Sequence, residues 1–159
     1  MKKHITITAA LLCATLLYAQ DLSPIQLKTP DMTRSATLMD ALLLRASVRE
    51  YSDRMLTDQD LSDLLWAANG INRPDRGGRT APSAVNAQDI DIYVLTAQGI
   101  YFYNAHRNLL EPIAAGDFRA QIYPQQAFVA TAPVNLMLVS DLSRFTRGDD
   151  ATKARWADM

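Results

Sequence analysis

Apolar positions change their period once along this chain, and the change divides it. In the first half, Leu38, Ala41 and Leu42, then Leu61, Leu64, Leu65 and Ala68, recur at helical spacing. Two helices are predicted: one from about Ser35 to near Arg45, and one opened by Thr57-Asp-Gln-Asp60. Thr57 supplies a side-chain cap, and the acidic first turn complements the positive end of the helix dipole. Gly70 is expected to close the second helix in a left-handed conformation. In the second half, residues 90–96 alternate and are rich in β-branched and aromatic side chains. Residues 100–103 repeat the pattern after a turn at residues 97–99, which predicts a hairpin. Residues 133–139 are almost continuously apolar and predict a strand buried on both faces at the centre of the sheet. Two short helices are expected on either side of Pro124, and residues 149–159 start a further helix with no closing signal.

The N-terminus follows a different pattern. Lys2 and Lys3 precede an apolar run over residues 5–19, the arrangement of a secretory signal cleaved near Ala19 or Gln20. That predicts an exported, periplasmic protein with no membrane span in its mature part. Residues 21–34, with Pro24 and Pro30, read as an extended arm, and residues 35–159 as one domain. The open-ended last helix, and a sheet of three strands with its central member uncovered, lead to the expectation that this domain is incomplete at its C-terminus.

Composition narrows the chemistry. The chain has 159 residues with a formal net charge of -1 from 16 basic and 17 acidic side chains, and no long run of either sign, so it carries no electrostatic footprint for nucleic acid. One cysteine, Cys13, and two histidines, His4 and His106, preclude an internal disulfide and a Cys/His metal cluster. His106 falls in a predicted turn over residues 104–107, without an acid fixed beside it, and is expected to face solvent. Gly77 and Gly78 lie in a polar stretch, residues 72–79, that is expected to be mobile and does not form a dinucleotide fingerprint.

Two stretches remain as candidate sites. In Arg45-Ala-Ser47-Val-Arg49, two guanidiniums four residues apart flank a hydroxyl, which suits a phosphate group. In Arg79-Thr-Ala-Pro82-Ser83-Ala84-Val-Asn86-Ala-Gln88, small, hydroxyl and amide groups surround a proline that fixes its own φ and biases Ala81 towards an extended conformation. The same residues suit either a preorganised binding loop or an ordinary loop with a helix N-cap at Ser83.

The order of parts resembles the nitroreductase family. A leading helix is followed by Arg-x-Ser-x-Arg-x-Tyr, then by a helix ending in Trp-Ala-Ala-Asn-Gly-Ile-Asn. A basic turn and Ala-Pro-Ser-Ala-x-Asn-x-Gln then lead into a strand. Within that family the chain is most similar to the branch of thiazoline-forming dehydrogenases of peptide modification. The resemblance implies an α+β fold, a mostly antiparallel sheet wrapped by helices, in a homodimer holding flavin mononucleotide (FMN). It implies that Arg45, Ser47 and Arg49 hold the phosphate and ribityl chain, and that Pro82, Ser83, Ala84, Asn86 and Gln88 lie against the ring of the partner's flavin. The implied activity is electron transfer from a donor such as NAD(P)H to a nitroaromatic, quinone or similar acceptor, with no general acid or base identified. Dehydrogenation of a peptide heterocycle and a truncated, non-catalytic flavin-binding or interaction module are the alternatives.

Overall fold

A computed structural model of the chain describes residues 22–34 and 36–158; the predicted signal segment at residues 1–20 lies outside them. The elements, in order, are β1 (Ile25–Gln26), α1 (Leu38–Leu44), α2 (Asp58–Asn69), β2 (Ile71–Arg73), β3 (Gly78–Arg79), β4 (Ile90–Leu95), β5 (Gly99–Asn104), β6 (Leu109–Ala115), α3 (Arg119–Ile122), α4 (Phe128–Thr131), β7 (Asn135–Ser140) and α5 (Asp150–Ala157). Five strands form one antiparallel sheet in the order β1-β6-β5-β4-β7, and β2 and β3 form a separate hairpin.

Alternation puts Ile92 and Val94 of β4 and Tyr101 and Tyr103 of β5 on one face of the sheet. There they meet Leu110 of β6, Leu27 of the arm and Leu65 of α2 in a single core. The helix is fixed at both ends. Thr57 and Asp60 form a reciprocal capping box at its start, and Thr57 and Arg34 hold the Asp60 carboxyl down at about 2. At its end the buried Asn69 donates from its amide to the Ile90 carbonyl at 2.9 Å, which sets the helix against the first residue of β4. The arm lies along α2 because the Ser62 hydroxyl accepts from the Lys28 amide at 2.9 Å while donating to the Asp58 carbonyl.

Four expectations are corrected. Gly70 is extended, with φ -73° and ψ 169°, and not left-handed. It is required by close approach instead, since a Cβ there would sit 2.4 Å from Trp66 Cδ1 and 2.6 Å from the Trp66 carbonyl oxygen. Residues 72–79 form most of the β2–β3 hairpin, in which Gly77 supplies the left-handed residue at φ 63°. The apolar strand over residues 135–140 is not central: β7 pairs with β4 alone among the described residues and forms the sheet's edge, leaving Leu138 61% exposed. Finally, the sheet has five strands and not three, with β6 and then β1 added beside β5, although Glu111 and Pro112 break the apolar pattern of β6. Among the described residues no helix is long and apolar enough to cross a membrane, and no cluster of metal-ligating side chains occurs.

Candidate functional site

The loop between β3 and β4 carries an unusual backbone. After Ser83, which is extended, a single tight turn over Ala84–Asn86 puts Val85 at φ 47° and Asn86 at φ 57°, and Gln88 follows at φ 49°. For a β-branched residue such as Val85 the left-handed region is strained, at roughly 1–3 kcal/mol, and it persists only where the surroundings over-determine it. Neither φ nor the turn could be read from the sequence.

The surroundings meet that condition. The Ser83 hydroxyl does not cap a helix; it accepts from the Gln88 amide at 2.7 Å, closing the loop on itself, and donates to the Asp89 carboxylate at 3.3 Å. The other oxygen of Asp89, a buried residue, accepts from the Ser140 hydroxyl at 2.5 Å. That contact follows from the pairing of β4 with β7, which sets Ile90 opposite Ser140. Gln88 is gripped from three elements: Arg79 Nε donates to its Oε1 at 3.0 Å, its Nε2 donates to the Gly77 carbonyl at 3.0 Å, and Arg144 Nη1 donates to its carbonyl at 2.9 Å. Arg144 is itself anchored on Asp91 at 2.6 Å, and that carboxylate holds its guanidinium pKa above the ordinary value. Arg79, Asp89 and Arg144 therefore fix the loop. Arg79 opens the candidate stretch but has no role assigned from the sequence, Asp89 and Arg144 lie outside it, and Arg144 is 56 residues from the Gln88 carbonyl it holds, a separation that no local pattern reveals.

The predicted residues fall into two groups, the loop residues and the Arg45–Arg49 segment, which share none of the cavities around the loop, whereas Pro82, Ser83 and Gln88 together line a small cavity of about 80 Å³. Pro82, Ser83 and Ala84 line a cavity of about 430 Å³ against Trp156 of α5, which is held in place by packing on the buried Phe145 at 5.7 Å between ring centroids. Asn86 and Gln88 open on a second cavity of about 400 Å³ beside β4 and β5. Half of Gln88's side-chain amide capacity is taken up by Arg79 and Gly77, leaving one lone pair and one N–H for a ligand. Arg45, Ser47 and Arg49 follow α1 as an extended, exposed segment, and line none of the cavities around the loop. That segment is steadied against α4, with the Arg49 guanidinium 5.7 Å from the centroid of the Phe128 ring and the Tyr51 ring tilted against the same ring at 6.4 Å between centroids. His106 is exposed, as expected, at the rim of the second cavity.

The fold, an antiparallel sheet backed by helices, has counterparts in known proteins. The sequence profile of the nitroreductase family matches residues 42–159. A protein of Methanocaldococcus jannaschii described as "Putative nitroreductase MJ1384" is 34% identical over 131 residues, covering 77% of this chain and 65% of its own length. The crystal structure of a protein from Ralstonia eutropha JMP134, also described as a "putative nitroreductase", superposes with a TM-score of 0.78 at 38% identity, over 85% of this chain and 64% of its own. The chain belongs to the nitroreductase family, and it spans less than two thirds of the length of each of these relatives.

Proposed function

We propose that this chain forms an FMN-dependent oxidoreductase site of nitroreductase type, moving electrons from a reduced donor such as NAD(P)H to a nitroaromatic, quinone or similar acceptor. The observation that carries the reading is the Pro82 loop, strained yet fixed from several elements, with Pro82, Val85 and Asn86 left exposed. A rigid, exposed loop loses little entropy when a flat ring docks on it. The donor set fits a phosphorylated flavin. Arg45 and Arg49 carry guanidiniums with no carboxylate at ion-pair distance among the described residues, and Ser47 places a hydroxyl between them in sequence. In this reading Arg45, Ser47 and Arg49 bind the phosphate and ribityl chain, while Pro82, Ser83, Ala84 and Asn86 orient the ring and exclude water from one side of it. Gln88 acts chiefly as the strut that keeps Asn86 in place. When bound, FMN would supply the hydride-accepting and electron-donating chemistry.

The separation of the two groups of residues favours a site completed by a second copy of the chain. So does α1, which buries no residue and presents Leu38, Met39, Leu42, Leu43 and Leu44 at 55–84% exposure. An apolar surface of that kind is covered in a stable assembly. In this reading the protein is periplasmic, which the basic start and the apolar run at residues 5–19 support.

Arg49→Ala should weaken FMN retention by roughly 1.5–3 kcal/mol, the range for a hydrogen bond to a charged group. Equilibrium dialysis of FMN against both proteins measures it, and riboflavin, which lacks the phosphate, should bind the two equally. Unchanged FMN affinity in a folded Arg49→Ala variant would remove Arg49 from the site.

A further inference from the structure

We propose that the cavity between Arg79 and Arg144 binds the oxyanion group, a carboxylate or a phosphate, of a ligand separate from the flavin. The two guanidiniums that line it differ in their state of charge compensation. Arg144 is paired with Asp91 at 2.6 Å and Asp141 at 3.3 Å. Arg79 is half-buried, yet no carboxylate lies within ion-pair distance of it among the described residues. Its neighbours are neutral acceptors: Nε donates to Gln88 Oε1 at 3.0 Å and Nη1 to the Asn69 carbonyl at 2.9 Å. Two of its five N–H donors are thus in use, and the fork formed by Nη2 and the second hydrogen of Nη1 remains.

A cation drawn out of water without a counter-charge is the arrangement that folded proteins avoid, except where a ligand supplies the missing anion. Burial is the largest effect on Arg79 and lowers its pKa, and repulsion from Arg144 adds to that; Tyr103 and the more distant Asp91 carboxylate act the other way without reversing the direction, so an arriving negative charge is favoured. The cavity, about 400 Å³, is the size of a small organic ligand. Phe102 and Tyr103, on opposite faces of β5, both contribute to its lining, and Ile90, Ile92, Asn86 and His106 add apolar and polar groups, so a small organic acid or a phosphate ester would find both a body site and a charged head site. The proposal holds whether or not the chain carries flavin, because the guanidinium and its cavity are present in the chain alone.

The test is calorimetric titration of the full chain at low ionic strength with inorganic phosphate and, separately, with benzoate. At least one anion should bind saturably; the preferred one distinguishes a phosphate ester from a carboxylic acid as the natural ligand. Arg79→Gln should weaken that binding by about tenfold or more. Asp91→Asn, which removes the carboxylate that pairs with Arg144 and partly offsets Arg79, should tighten it by about threefold. If Arg79→Gln fails to fold because it loosens Gln88, Asp91→Asn decides: tighter binding supports the site and unchanged binding overturns it. Absence of saturable binding by either anion, or a folded Arg79→Gln that binds as the parent does, would also overturn it. Displacement of the anion by FMN but not by riboflavin would assign the cavity to the flavin's own phosphate and refute a separate ligand.

Discussion

Leu65→Ala is expected to destabilise the chain by about 2–5 kcal/mol, the range for truncating a fully buried leucine. Leu65 has no exposed surface and is the residue of α2 that enters the core formed by β4, β5, β6 and the arm. Its loss removes both transfer free energy and the packing that holds α2 on the sheet. Since α2 carries Asn69, and Asn69 receives Arg79 on its carbonyl and donates to Ile90, the damage should reach both ends of the Pro82 loop. Urea unfolding followed by tryptophan fluorescence would report it through Trp66. A shift below about 1 kcal/mol would mean that the core does not rest on this helix as described.

Asp89→Ala is the second large effect, and it acts directly on the loop. The carboxylate is the common acceptor for the hydroxyls of Ser83 and Ser140, so its removal leaves two part-buried donors without a partner. At about 1–3 kcal/mol for each unsatisfied group, with some relaxation, a loss of about 2–4 kcal/mol is expected. Asp89→Asn keeps the shape and one acceptor and should lose about 1 kcal/mol. Beyond stability, Asp89→Ala frees the Ser83 hydroxyl, so the left-handed residues Val85, Asn86 and Gln88 lose part of what holds them. Limited proteolysis should then cut within residues 82–88 in the alanine variant well before the parent. Equal cleavage rates would show that the Arg79 and Arg144 contacts suffice alone.

The sequence was legible where local physics decides the outcome. The stripe of α2 and its Thr57 cap, the β4–β5 alternation and the two short helices around Pro124 follow from periodicity and capping, which act within a few residues. The resemblance to nitroreductases also held for the fold. What failed depended on distant partners. The apolar character of β7 gave no information on which strands would flank it, and an edge strand with exposed Leu138 reads the same as a central one. Gly70 was assigned to a conformation because glycine often closes helices that way, whereas here the Trp66 ring excludes a side chain. At the candidate loop the sequence draws attention to residues 79–88, but the contacts of Asp89 and Arg144 that fix it are not legible there. Asp89 reads as a polar residue ahead of a strand until β7 brings Ser140 against it.

The absorbance spectrum of the purified chain, recorded after incubation with excess FMN and desalting, tests the central claim most directly, with circular dichroism confirming that the chain is folded. Retention of the two visible bands of oxidised flavin, at a stoichiometry approaching one per chain, is the predicted result. A folded chain that emerges colourless would contradict the flavin site built from the Pro82 loop and the Arg45–Arg49 segment.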